Sequence, residues 1–132
     1  MYMLDTNICI YIIKKKPLNV LAQLKKKKKR GLYISAITLA ELEFGIENSL
    51  YKEKNRIALM EFLAIINIKS FDENAAREYG VLKKDLKEGN CLIGPLDMLI
   101  GAHTKSLNMT LVTNNVHEFE RIKNLKIENW AF

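Results

Sequence analysis

Two cysteines, Cys9 and Cys91, are all that the 132 residues contain. Thiols so few and so scattered build neither a disulfide framework nor a zinc site, and reduced cysteine is the default. No window approaches the ~18 consecutive apolar residues of a membrane span. The first residues, Met1 to Asp5, lack the basic and apolar regions of a signal peptide. A cytosolic protein is the expectation. Repeats, low-complexity linkers and composition breaks are missing as well, so one domain over 1–132 is expected. Histidine is equally scarce, and His103 and His117 read as surface or core-edge residues rather than metal ligands. No serine or cysteine stands out as a nucleophile.

What is present is ordinary in bulk: 48% hydrophobic and 27% charged residues suit a globular protein. At this length roughly two-thirds of the unfolded chain's surface can be buried. The net charge of +6 points to an anionic partner, although much of the excess comes from the run Lys25 to Arg30. That run reads either as a solvated helix end or as a non-specific hold on RNA phosphates.

The apolar pattern predicts strands alternating with helices. Tyr2–Leu4 reads as a buried strand stopping at Asp5. A helix over Ile8 to Lys15 has Thr6 and Asn7 as start signals, and Pro17 ends or restarts it. Val20, Leu21 and Leu24 continue at helical spacing to a Gly31 cap. Leu32–Ser35 is a second strand. Thr38 opens a helix to about Asn48, with Leu39, Leu42 and Ile46 on one face. A helix over Lys52–Ile66 turns Ile57, Met60, Leu63 and Ile66, or their neighbours, inward. Asn67–Ser70 is a third strand. Asp72 caps a helix from Glu73 to about Glu88, stopped by Gly89. Leu92–Ile93 is briefly extended. Gly94-Pro95 starts a helix with Leu96, Leu99, Ile100 and Leu107 on its buried side. Thr110–Thr113 is a strand, His117–Ile122 a short helix, and Lys126–Glu128 a last strand. The class is α/β with a mainly parallel sheet.

In such folds sites form outside the carboxyl ends of the strands. Asp5 ends the first strand, Glu41 lies at the start of the helix after the second, Asp97 in the first turn of the Gly-Pro helix, and Asn114-Asn115 follow the strand Thr110–Thr113. The chain has only four aspartates, and two of them fall at these places. Gathered carboxylates repel one another and their pKa values rise. A hard divalent cation removes the conflict, and an all-oxygen set without His or Cys favours magnesium or manganese. Such an ion activates water and neutralises a phosphate. Local explanations compete. Glu41 follows Thr38 by three, a capping box. Asp97 complements a helix dipole. Asp5 and the two asparagines suit turns.

Four stretches carry a resemblance: Met3 to Ile8 (MLDTNI), Ser35 to Gly45 (SAITLAELEFG), Ile93 to Ala102 (IGPLDMLIGA) and Leu111 to Phe119 (LVTNNVHEF). Together they closely resemble the PIN-domain ribonucleases, and more narrowly the VapC toxins of type II toxin–antitoxin pairs. The likeness runs end to end, including Leu125 to Trp130. It implies a three-layer α/β/α sandwich and an endoribonuclease dependent on magnesium or manganese. By position the family acids fall on Asp5, Glu41 (not Glu43) and Asp97. The fourth position, often aspartate, is Asn115, and Glu118 one turn on is the candidate replacement. One firm ion and a weak second are the expectation. Thr6 and Thr113 are expected to hydrogen-bond the acids. The resemblance further implies a homodimer and a cognate VapB antitoxin whose tail lies in an apolar groove near Ile8–Ile13 and Phe44–Leu50. Through the antitoxin, the pair assembles on operator DNA. The implied substrate is a structured RNA cut in a single-stranded loop, with the anticodon loop of initiator tRNA favoured and translation inhibited as the result.

Three other readings compete. Asn115 would fit a catalytically weak PIN-like RNA-binding module. A phospho-acceptor receiver domain needs an acid pair after the first strand and an acceptor aspartate after the third, and neither is supplied. A haloacid-type phosphatase needs Asp-x-Asp, and position 7 is Asn.

Overall fold

The computed structural model describes residues 1–131. In chain order the elements are β1 (Tyr2–Leu4), α1 (Thr6–Lys14), α2 (Leu18–Lys27), a 3-10 turn (Lys28–Arg30), β2 (Leu32–Ser35), α3 (Ala36–Glu47), α4 (Lys52–Leu63), β3 (Asn67–Lys69), α5 (Glu73–Glu88), α6 (Pro95–Ser106), β4 (Thr110–Val112), α7 (Val116–Phe119) and β5 (Lys126–Glu128). The five strands form one sheet in the order β3-β2-β1-β4-β5. Every pairing is parallel.

The chain winds outward from β1 to β3, then crosses over and lays β4 on the other side of β1. The carboxyl ends of β1 and β4 therefore lead to opposite layers, and a crevice opens between them. Strand side chains alternate between the layers. Tyr2, Leu4, Leu32, Ile34 and Val112 pack with Ile8, Ile12, Val20, Leu42, Leu59 and Phe62 from α1–α4. Met3 and Leu111 pack with Leu82, Met98, Ile100 and Phe119 from α5–α7. Burial on both faces is why the three inner strands β1, β2 and β4 read as mostly apolar runs, whereas the edge strands β3 and β5 carry polar residues. The result is the three-layer α/β/α sandwich.

Several local expectations shift. Ser35, not Thr38, caps α3: its hydroxyl accepts from the Ile37 N–H at 3.0 Å. Asp5 itself is the cap residue of α1, which begins at Thr6 rather than Ile8. α4 buries Leu59 and Phe62, while Ile57 and Met60 are 58% and 63% exposed. That helix is apolar on too many sides for spacing to choose its inner face. Leu96 is exposed, while Ile100 is buried as expected and Met98, Ala102 and His103 join it on the buried side of α6. Leu92–Ile93 joins no strand, and the short helix before β5 runs Val116–Phe119. Asp72 does cap α5, accepting from the Ala75 N–H at 3.0 Å, and Gly89 follows its last turn.

Two helical glycines should respond oppositely to a side chain. A Cβ on buried Gly101 would stand 2.6 Å from Ile122 Cδ1 and 3.6 Å from the Phe119 ring, whereas one on Gly80 meets nothing within 4 Å. In urea unfolding, Gly101→Val is expected to cost about 1–3 kcal/mol by overpacking. Gly80→Ala is expected to gain about 0.5–1 kcal/mol.

Candidate active site

A strand that ends directly at a helix start leaves its last side chain at the carboxyl edge of the sheet. That residue is Asp5, at 4% exposure. A carboxylate so buried is stable only if hydrogen-bonded. Its Oδ1 accepts from the Thr6 N–H at 2.7 Å and its Oδ2 from the Thr113 hydroxyl at 2.8 Å. Burial nevertheless pushes its pKa above the ordinary value. The two donors pull it down, and the charge of Glu41 adds to the rise.

Glu41 enters from the second turn of α3. The Thr6 hydroxyl donates to its Oε1 at 2.7 Å and lies 3.5 Å from the hydroxyl of buried Thr38. With Ser35 as the cap, Glu41 does no capping, and the capping-box explanation fails. Glu43 is turned away into an ion pair with Arg56 at 2.6 Å.

Asp97 reaches the same rim without following a strand. Only the short turn through Leu107 and Asn108 separates α6 from Met109 and β4. α6 must therefore run against β4 and begin at the carboxyl edge, with Asp97 in its first turn. The Asp97 carboxyl is pushed up to about 7. Burial contributes most, then the charge of Asp5, then a hydrogen bond with Glu118 and its charge, then Glu41.

The loop after β4 closes the set. The Asn115 N–H donates to Thr113 Oγ1 at 2.9 Å, and Asn115 Nδ2 donates to Glu118 Oε2 at 3.2 Å. Asn114 instead donates to the Tyr11 hydroxyl at 2.7 Å. Asp5, Thr6, Glu41, Thr113, Asn115 and Glu118 thus share one hydrogen-bonded network, and Asp97 is coupled to it through the nearby charges of Asp5, Glu118 and Glu41. Among the described residues none of its four carboxylates has a Lys, Arg or His ion-pair partner.

Sequence reasoning did not find Thr38 or Tyr11, and it misplaced His103. That ring is 1% exposed. Its Nδ1 lies 2.7 Å from Ser35 Oγ, and Phe71 packs edge-on against it. Burial holds its pKa below the usual value. The bond joins α6, which carries Asp97, to the residue that caps α3, which carries Glu41. The partners are 68 residues apart, so no local signal could pair them. His117 is exposed, as expected.

All-oxygen donors, mutually repelling and free of cationic partners, fit a hard divalent ion such as magnesium or manganese. No three His, Cys, Asp or Glu side chains among the described residues converge into a ready-made ion cage.

The PIN-domain family matches residues 2–125. Over 130 residues the chain is 44% identical to the ribonuclease VapC2 of Rickettsia felis, covering 98% of this chain and 97% of that one. The chain belongs to the PIN-domain family, on its VapC branch. This PIN domain is also 37% identical over 130 residues, 98% of each chain, to the tRNA(fMet)-specific endonuclease VapC of Shigella flexneri. Its fold superposes with a TM-score of 0.93, at 42% identity and 98% of each chain, on a chain of the crystal structure of VapBC2 from Rickettsia felis bound to a promoter DNA fragment.

The raised Asp97 sets a pH dependence for the metal-free PIN domain. Between the ordinary value of 3.8 and about 7 the folded state keeps a proton that the unfolded chain releases. Stability from this group therefore falls as pH rises through that window. Asp97→Asn should melt higher than wild type at pH 8, with a much smaller gap at pH 5. Each ~1 kcal/mol corresponds to roughly 3–5 °C at this chain length. Parallel melting-temperature profiles against pH would refute the assignment.

Proposed function

We propose that this chain is the toxin of a VapBC-type pair, an endoribonuclease that requires magnesium or manganese. The observation that carries the reading is the rim: Asp5, Glu41, Asp97 and Glu118 come from separate elements to the switch point of the sheet, close enough for their charges to raise Asp97, and among the described residues none has a Lys, Arg or His ion-pair partner. Asp5, Asp97 and Glu41 are the ion's ligands, and Glu118 supplies the carboxylate that Asn115 lacks. When bound, the ion lowers the pKa of an attacking water and neutralises charge on the phosphate. Asp5 is held by two donors beforehand, so it needs no reordering to serve. Thr6 and Thr113 aim the acids. Asn115 orients Glu118 but brings no charge, which favours one firm ion and a weaker second.

The substrate on this reading is a structured RNA cut in an exposed loop, where bases are splayed and can be gripped. The initiator-tRNA anticodon loop is favoured by the name of the Shigella relative. Cleavage there would stop translation in the cytosol. The antitoxin's tail is assigned to the cleft of about 320 Å³ between α1, α3 and α4. Ile10, Ile13, Ile46 and Leu59 line it, and it reaches Glu41. A basic side chain entering from that cleft would neutralise the acids. A homodimer, and operator DNA held through the antitoxin, complete the assembly. The solved VapBC2 complex on promoter DNA supports the antitoxin and the operator assembly. A second reading, a catalytically weak PIN-like RNA-binding module, draws on Asn115 alone.

Asp5→Ala should lower cleavage of a tRNA pool in magnesium by at least ~100-fold, the scale of losing one preorganised electrostatic partner. Equal activity in both proteins would sink the catalytic assignment. Wild type that binds tRNA without cutting it in either metal would favour the second reading.

Glu118→Gln should approach the loss seen in Asp5→Ala, whereas Asn115→Ala should stay within about tenfold of wild type, as for a group that only orients a ligand. The opposite order would move the fourth ligand to Asn115.

A further inference from the structure

Nine of the 21 lysines and arginines fall between residues 14 and 30, and no acid occurs from Thr6 to Ala40. The rest of the chain carries 12 bases against 15 acids. The net positive charge therefore belongs to this one stretch.

The fold places the stretch away from the acids. The Tyr2 N–H donates to the Gly31 carbonyl at 3.0 Å, and Tyr2 pairs with Leu32. Lys28–Arg30 thus lead into the amino ends of β1 and β2. The acids stand at the carboxyl ends, about 10–13 Å away along strands rising ~3.3 Å per residue. α1 runs back from Asp5 and delivers Lys14, Lys15 and Lys16 toward the same side, with Lys15 beside Leu21 and Leu24 of α2.

One lysine of the run is structural. Lys27 Nζ contacts the Tyr2 hydroxyl at 3.1 Å and Glu128 at 3.4 Å, and it stands over the Tyr2 ring. Lys25, Lys26, Lys28, Lys29 and Arg30 are exposed and form no ion pair among the described residues. The dipole of α2 rewards cations only in its last turn, so it does not account for charges continuing through the 3-10 turn. The acid rim, for its part, repels an RNA backbone, so the cations that attract one must lie elsewhere.

We propose that Lys25, Lys26, Lys28, Lys29 and Arg30 form a separate phosphate-binding surface that grips the duplex stem of a structured RNA whose loop reaches the acid rim. The choice of RNA rests on the ribonuclease reading. Duplex RNA is recognised through its shape, phosphates and 2′-hydroxyls rather than its base edges, so a stem can be gripped away from the loop that is cut. Lysine point charges suit such sequence-blind contact better than a bidentate base reader.

The test measures binding by fluorescence anisotropy across a salt series in metal-free buffer, where turnover does not intervene. Wild type is compared with a variant carrying Lys25→Gln, Lys26→Gln, Lys28→Gln, Lys29→Gln and Arg30→Gln, leaving Lys27 intact. The probes are an RNA hairpin, a single-stranded RNA of the loop's length, and a DNA duplex matching the stem. For the hairpin, the variant should bind at least ~10-fold more weakly at 0.1 M salt. Its log–log salt slope should be shallower by about one for each phosphate the variant no longer neutralises. The single strand should bind both proteins within about twofold. A charge-preserving variant, with the four lysines changed to arginine, should bind the hairpin like wild type. Equal hairpin slopes for wild type and the Gln variant overturn the proposal, as does a loss confined to the DNA duplex. Failure of wild type to cleave any RNA would remove the ribonuclease reading without altering these slopes.

Discussion

A carboxylate buried where two parallel strands part must find donors from both, and Asp5 does. Its Oδ1 takes the first N–H of α1 and its Oδ2 the Thr113 hydroxyl just past β4. The backbone closes the same joint: the Asp5 N–H donates to the Val112 carbonyl at 2.9 Å. β1 and β4 lie far apart in the chain and become neighbours only after α5 and α6 have crossed over. The anchor of the rim therefore exists only in the completed sheet. Losing either donor would leave part of a buried charge unsatisfied, a penalty larger than the bond's own net worth. Thr6 and Thr113 are for this reason as much parts of the fold as of the site.

The rest of the electrostatics follows from that joint. Once Asp5 is fixed, Glu41 and Asp97 arrive close enough for their charges to matter, and Asp97 responds by holding its proton up to about 7. Repulsion of this kind opposes folding, so the two apolar layers on either side of the sheet must overcome it. The chain separates its charges along the strands. Carboxylates collect at one edge, and the acid-free stretch from Thr6 to Ala40 sends most of its cations to the other. Lys27 is the exception. Its pKa is raised through its bond to the Tyr2 hydroxyl and the nearby Glu128, and Trp130 Nε1–H donates to the same carboxylate at 3.0 Å.

How far the sequence could be read depended on the range of the interaction. Strand alternation, the Asp72 cap and the Gly94-Pro95 start are local rules, and each holds. Ser35 and Thr38 are both competent caps three residues apart and both are fully buried; the end of β2 at Ser35, with α3 starting at Ala36, decides between them. The misreading mattered, because it offered Glu41 a structural excuse that the fold withdraws. Asp97 sits in the first turn of the Gly-Pro helix as its spacing suggests, but it is the direction of α6 against β4 that brings that turn to the rim, and no local pattern carries this. The Ser35–His103 bond spans two elements with no shared pattern, and tertiary contact alone reveals it.

Asn115 looked like the missing corner of the site, yet the network gives the amide a different meaning. Glu118 stands one helical turn beyond it, receives its Nδ2–H and lies near enough to Asp97 to help raise that carboxyl. The rim already contains four carboxylates. An aspartate at 115 would add a fifth beside Thr113, close to a group that already titrates near neutrality. It would also replace a donor to Glu118 with a like charge, and like charges at this range raise one another's pKa. Asparagine supplies the hydrogen bond without the repulsion. On the proposed reading, the departure from the family pattern moves a ligand along α7 by one turn and leaves the number of acids at the rim unchanged.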